Sequence, residues 1–206
     1  YARMNGFKTQ IFEQHNLPGG LCASWRRQGY TFDGCIHWLN GTKKGTPIND
    51  LWITVGALDR VEIYHPESFL TFEHNDATVH LYRDLNRLKS SWLEISAQDE
   101  GAINNFCKTI KQLHSFETPV GKPQDLMGLR EKIKLMMSMK DAGTIMQKFG
   151  KVSLKEYAKN FKHPALRETL ESFLPENYSA SFLFFALAAF TKGQASIPYG
   201  GSKELA

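Results

Sequence analysis

Apolar and polar positions change their period twice along the 206 residues. At the start, YARMNG (residues 1–6) reads as the last turns of a helix closed by Gly6, and FKTQIF (7–12) as a strand that ends at Glu13. NLPGG (16–20) follows as a tight loop. LCASWRRQGYTFDGCIHWLNG (21–41) then carries aromatic and β-branched residues around Gly29, Gly34 and Gly41, the pattern of short extended segments joined by turns. In the middle zone RVEIY (60–64), SFLTFE (68–73) and TVHLYR (78–83) read as strands. The last two join across HNDA (74–77) as a hairpin, with Leu70 and Phe72 on one face. From Asp84 the period becomes helical, through DLNRLKSSWLEI (84–95), EGAINNFCKTIKQLHSF (100–116), and from Asp125 through a Met-rich segment to about Phe190. Pro119, Pro123, Pro164 and Pro175 punctuate this zone. SIPYGGSKELA (196–206) reads as an extended loop followed by Ser202 at the N-cap of a helix.

Composition narrows the class without naming a function. At 42% hydrophobic and 22% charged, the chain has the balance of a globular protein that buries a sizeable core. Its longest apolar stretch, SASFLFFALAAF (179–190), falls short of the ~20 residues of a spanning helix and reads as a buried one. The 25 basic and 21 acidic residues are interspersed and form no basic block, so nucleic acid is not an expected partner. Cys22, Cys35 and Cys107 form no CxxC pair and are odd in number, which argues against a disulfide framework and for a reducing, cytoplasmic setting. Cys22, Cys35 and His37 have no metal-ligand spacing and no fourth ligand, so no metal site is expected.

Glu13 and the glycines after it carry the first chemical signal. In a dinucleotide-binding βαβ unit, a glycine-rich turn presents a helix N-terminus to the pyrophosphate, and a carboxylate ending the second strand accepts hydrogen bonds from the ribose hydroxyls. Glu13 occupies that carboxylate position, with a solvated strand end as the alternative, and the acidic residue lies ~20 positions after the glycine fingerprint. The count places the fingerprint before residue 1, so the sequence is expected to be a piece that lacks this N-terminal fingerprint and a C-terminal part, and that by itself binds the cofactor poorly. Gly19 and Gly20 let the backbone pass close to a planar cofactor or its phosphates, where a Cβ would collide; a simple turn after Pro18 is the alternative.

FEQHNLPGGLCASWRRQGYTFDGCIHW (12–38) resembles the second FAD-contacting segment of the phytoene desaturase-type flavoproteins, a group that includes carotenoid isomerases and retinol saturase-like enzymes. The shared pattern is an acidic strand end, a Gly-Gly loop, a stretch of about ten residues, then a glycine, an aromatic and Asp-Gly-like residues. Here these are Glu13, Gly19 and Gly20, then Gly29, Tyr30, Phe32, Asp33 and Gly34. IPYGGSKELA (197–206) is similar to the family's Pro-x-Gly-Gly-Ser return segment, and HLYRDLNRL (80–88) and FKHPALRETLESFLP (161–175) to parts of its substrate domain. The resemblance implies FAD as cofactor, with Glu13, Gly19, Gly20, Leu21, Ser24, Asp33, Gly34, Pro198, Gly200 and Gly201 facing it. It also implies an α/β plus α+β fold, a partial Rossmann-like FAD-binding domain with an inserted mixed strand and helix substrate domain. Residues 1–58 would be the FAD part, 59–195 the substrate domain and 196–206 the return toward the flavin.

Two departures from the family pattern bear on the reaction. Leu21 stands where Arg or Lys often follows the Gly-Gly pair, which removes a charge near the phosphates. Gly34, Cys35, Ile36 and His37 replace a small residue, Gly and Pro. His37 is the candidate catalytic group, to hydrogen-bond the flavin or move a proton, against the alternative of a structural histidine. The helix beginning at Ser202 would offer its positive end to an electron-rich flavin edge, against the alternative of a bare loop at Gly200 and Gly201. Met-rich KLMMSMKDAGTIMQKF (134–149) and the 179–190 run read as core that also lines an apolar cavity for a polyene or isoprenoid-like substrate. Lys134, Lys140 and Lys148 beside apolar residues would allow peripheral membrane contact, against a solvated helix face. The expected function is hydride transfer from a C–C or C=C bond to flavin. A flavin-assisted isomerase or saturase, or a non-enzymatic carrier of an apolar ligand, are the alternatives.

Overall fold

Among residues 1–75, 77–175 and 177–205, which the computed structural model describes, the elements run β1 (Ser24–Arg27), β2 (Tyr30–Asp33), β3 (Leu39–Asn40), α1 (Pro47–Thr54), β4 (Ile63–Tyr64), β5 (Ser68–His74) and β6 (Ala77–Tyr82). They continue through α2 (Leu85–Ile95), α3 (Glu100–Gln112), α4 (Leu129–Ser138), α5 (Lys140–Phe149), α6 (Leu154–Ala158), α7 (Pro164–Glu171), α8 (Ala180–Thr191) and β7 (Ala195–Pro198). The architecture is mixed α/β with small sheets. The chain divides into two units, Tyr1–His65 with the segment from Ala195 onward, and Pro66–Gln194.

In the first unit a 3-10 turn at Arg3–Asn5 is closed by Gly6, whose left-handed φ of 84° lets its N–H reach the Arg3 carbonyl at 3.0 Å. The strand expected over 7–12 does not form. A strand needs a neighbour for its backbone groups, and among the described residues none pairs with this segment; Ile11 and Phe12 lie 90% and 86% exposed. The extended segments expected after it do form. β1 and β2 make an antiparallel hairpin with Ser24 opposite Asp33 and Arg27 opposite Tyr30. Gln28 and Gly29 turn it with φ of 51° and 83°, positive at both central positions as a type I′ turn requires. β7 pairs antiparallel with β3 on one side and β4 on the other, so residues some 130 positions later return to complete this sheet. The expected RVEIY strand shrinks to Ile63–Tyr64. At Gly41 close packing decides the residue: a Cβ there would stand 2.4 Å from Ile48 Cγ2, while the Gly41 carbonyl accepts from Asn49 Nδ2 at 2.8 Å.

The second unit holds the large core. β5 and β6 form the expected hairpin, with Phe72 opposite Val79, and an irregularity between Ser68 and Thr71 packs Phe69 as well as Leu70 and Phe72 against the core. Asp84 caps α2 by accepting the Asn86 and Arg87 amides, both at 2.8 Å. Trp92 stacks on Phe106 at 5.1 Å and meets Phe161 edge-on at 5.8 Å, and its Nε1 donates to the His80 carbonyl, joining α2 to β6. Phe184 of α8 packs on Phe149 and Tyr157. Each such buried ring stabilises by ~1.5–3 kcal/mol relative to leaving it in water. Apolar on every side, α8 is buried as expected, with Leu183, Phe184, Leu187 and Phe190 all under 2% exposed.

The long helical zone breaks where its sequence supplies caps: Ser153 accepts from the Glu156 amide, Pro164 opens α7, and Ser179 accepts from the Ser181 amide. Asp99, 2% exposed, fastens the start of α3 to the chain entering α7 by accepting the Lys162 and His163 amides and the Ser96 hydroxyl. The Met-rich segment departs from a core reading. Met136, Met137 and Met146 are more than half exposed: α4 buries no residue, and in α5 only Ala142, Ile145 and Phe149 turn inward.

Candidate flavin site

Two segments distant in sequence meet at Asp33, the last residue of β2. Asp33 Oδ1 accepts from the amides of Cys35 at 2.9 Å and Ile36 at 3.0 Å, and from Ser202 Oγ at 3.0 Å. The Ser202 amide donates to Oδ2. Burial by itself pushes the Asp33 carboxyl up, but the amides of Ile36, Cys35 and Ser202 and the Ser202 hydroxyl outweigh it and hold the group below the ordinary aspartate value. Asp33 is thus a half-buried anion whose donors belong to the hairpin end and to the Gly200–Gly201–Ser202 turn. Gly201 must be glycine for this contact: its φ is 86°, and a Cβ would lie 2.7 Å from Asp33 Oδ2. Ser202 therefore does not act as an N-cap; it opens a 3-10 turn over Ser202–Leu205 and spends its hydroxyl on Asp33.

Glu13 and the glycine loop lie on the surface of the same unit. Glu13 is exposed and accepts from the His15 amide at 2.9 Å. That hydrogen bond first, then those of the Gly20 and Gln14 amides, holds its carboxyl below the ordinary glutamate value despite an opposing desolvation. It is ionised at neutral pH. Gly19 and Gly20 have φ of 112° and 58°, so the loop depends on glycine for its conformation. The space over Gly20 is open, with no atom within 4 Å of a Cβ placed there. Leu21 is 92% exposed. Ser24, where β1 begins, is buried and its Oγ has no hydrogen-bond partner.

Of the other expected site residues, Gly34 lies under the Trp25 ring, where a Cβ would come within 3.0 Å of Cζ3. Pro198 is buried at the end of β7, paired with Ile63, and Gly200 has a φ of 88°. His37 is exposed, its ring tilted against Trp38 at 6.2 Å. The structure thus joins Asp33 to the Gly200–Gly201–Ser202 turn and leaves His37 outside that junction. Among the described residues no three His, Cys, Asp or Glu side chains gather as metal ligands would.

A family model described as flavin containing amine oxidoreductase matches residues 3–206. The chain belongs to this flavin oxidoreductase family. FAD is the cofactor that membership carries. Among curated proteins, the human all-trans-retinol 13,14-reductase is 23% identical over 98% of this chain and 35% of its own length, and that of Macaca fascicularis is 24% identical over the same shares. The chain therefore spans about a third of the length of the relatives it matches. No solved structure gives a significant match. The resemblance read at residues 12–38 and 197–206 is borne out at the level of family and cofactor.

Three contacts of this flavin oxidoreductase chain were not legible in its sequence: the four-donor clasp of Asp33, the His65 Nδ1 to Ser196 Oγ hydrogen bond at 2.7 Å, and the approach of Cys22 and Cys35. The Pro-x-Gly-Gly-Ser run signals only the turn at Gly200–Gly201, not its acceptor. In the second unit, Gln124, Asp125, Lys132, Leu135, Met136 and Met139 line an open hollow of about 510 Å³. A more polar hollow of about 720 Å³ is lined by His74, His80, Tyr82, Glu94 and His163 among others. No helix among the described residues is long and apolar enough to cross a membrane.

Proposed function

We propose that this chain supplies FAD-holding and substrate-facing parts of an oxidoreductase that acts on C–C or C=C bonds of an apolar, polyene or isoprenoid-like substrate. The observation that carries the reading is the Asp33 clasp, which gathers the β2 end and the Gly200–Gly201–Ser202 turn into one place in a chain of a flavin family. The residues present fit the cofactor on two counts. Ser24 keeps a buried hydroxyl without a partner, and the open space over Gly20 lets a ligand approach the backbone.

When bound, FAD accepts or donates the two electrons of a hydride. Ionised Glu13 accepts from the ribose hydroxyls, exchanging its His15 and Gly20 amides for them. Gly19, Gly20 and Leu21 give the cofactor an uncharged backbone surface, and Ser24 donates a hydrogen bond. Asp33 would hold Gly34, Gly200 and Gly201 in place for the flavin, Pro198 would fix the strand that leads there, and His37 would move a proton for the substrate. The Rossmann-like sheet belongs to the same proposal: the apolar 7–12 segment takes its strand pairing from the longer protein that the relatives' lengths imply. Apolar substrate enters from a lipid surface at the exposed Met136–Met139 face, where Lys132 and Lys134 meet lipid headgroups.

The relatives' printed name, a 13,14-reductase of all-trans-retinol, favours saturation of a double bond over desaturation as the second reading. Anaerobic mixing of the whole protein with polyenes separates them. Bleaching of oxidised flavin bands by a substrate supports desaturation, and return of those bands when reduced enzyme meets substrate supports saturation. A protein that retains apolar ligand with no flavin bands overturns both.

A further inference from the structure

Cys22 and Cys35 sit opposite each other two steps beyond the β1–β2 hairpin. Ser24 faces Asp33, the Gly34 amide bonds the Ala23 carbonyl at 3.4 Å, and the same register places residue 22 against residue 35. Counting from the Arg27–Tyr30 pair that closes the two-residue turn, bonded and non-bonded pairs alternate, and 22–35 falls in the non-bonded class whose side chains approach closest. The sulfurs stand 3.8 Å apart, with the Cys35 thiol donating to Cys22 Sγ. Both cysteines are free and half-buried. A disulfide requires ~2.05 Å between sulfurs, a closure within reach of side-chain rotation in a loop rich in glycine.

We propose that Cys22 and Cys35 are a redox modification site that closes to a disulfide when the protein meets a peroxide. Cys22, whose sulfur accepts the Cys35 hydrogen bond, is the attacking thiolate. It takes oxygen from the peroxide to become a sulfenic acid, releasing hydroxide. Cys35 sulfur then displaces the hydroxyl from Cys22, so that two thiols and one hydrogen peroxide give one disulfide and two waters. Cys35, kept in the thiol form by its hydrogen bond to Cys22 and then by burial, donates toward Cys22 in the first step; in the second its proton leaves with the displaced hydroxyl as water. The Cys22 amide is bonded to the Gly19 carbonyl and the Cys35 amide to Asp33, so the closed form ties the glycine loop to the Asp33 clasp.

Arg26 and Arg27 lie between the two cysteines, so trypsin separates their peptides unless a disulfide joins them. The whole protein is treated with a few equivalents of hydrogen peroxide, alkylated, digested without reductant and mapped by mass spectrometry. The expected product is a cross-linked peptide pair two hydrogens lighter than the sum, rising at least tenfold over untreated protein and released by dithiothreitol. Cys107→Ser leaves it unchanged, since burial pushes the Cys107 thiol up to about 11 and holds it unreactive. Cys35→Ser leaves a dimedone-trapped sulfenic acid at Cys22, and Cys22→Ser leaves Cys35 alkylatable. Separate alkylated peptides for both cysteines, at a peroxide dose that already oxidises exposed Met136 and Met137, overturn the proposal.

Discussion

Replacing Asp33 with Ala removes the acceptor for three amides and one hydroxyl at once. A hydrogen bond to a charged group is worth ~1.5–3 kcal/mol, and four at that value would overstate the loss, because part of the site is wetted and freed donors regain water. We expect about 2–4 kcal/mol of local destabilisation, confined to the hairpin end and the final turn. Hydrogen exchange reads this directly: protection of the Cys35, Ile36 and Ser202 amides should fall roughly 30- to 1000-fold at pH 7, with α3 unaffected. Ser202→Ala removes only the hydroxyl bond, so a double-mutant cycle should give a coupling of about 1 kcal/mol between the two residues. The pH dependence has a definite sign. The native carboxyl titrates below its unfolded value, so its contribution is complete above that unfolded value, ~3.9, and is lost as pH falls through the depressed native value. Asp33→Asn should flatten that acid-side loss of protection. Exchange in Asp33→Ala within twofold of wild type, or an unchanged acid profile in Asp33→Asn, would refute the clasp.

In the second unit, Asp99→Ala should cost about 3 kcal/mol in urea denaturation, because it removes a buried carboxylate that accepts the Lys162 and His163 amides and the Ser96 hydroxyl. Burial opposes the Asp99 charge but those amides and Ser96 prevail and lower its pKa, so Asp99→Asn should also lose stability selectively above the unfolded aspartate value and converge with wild type in acid. Met136→Glu with Met137→Glu should leave thermal stability within about 0.5 kcal/mol, since both side chains are exposed. The same pair should reduce sedimentation with anionic vesicles several-fold; unchanged vesicle binding would remove the lipid-facing role of α4.

What the sequence made legible follows from how local each signal is. The β5–β6 hairpin, the onset of helix after Asp84 and the break in the helical zone at Pro164 are written within a few residues and appear where expected. The 7–12 segment has strand composition but no partner, and pairing cannot be read from one segment. The Met-rich run has helical period, yet period alone cannot tell whether its apolar side meets a core or solvent. Asp33 could be singled out as chemically interesting, while its acceptor role for Ser202 depends on a return of the chain 169 residues later. The Cys22–Cys35 approach was hidden for a related reason: spacing by 13 residues looks unpaired until the hairpin register is known.

The most direct test of the central claim is the visible absorption spectrum of the whole protein, purified in parallel with Glu13→Ala. The account predicts flavin bands in the wild type and at least tenfold weaker FAD retention in the variant, with unchanged far-UV circular dichroism because Glu13 is exposed. Equal flavin content in the two proteins would contradict the role given to Glu13, and a wild type that stays colourless after FAD is added would contradict the flavin site itself.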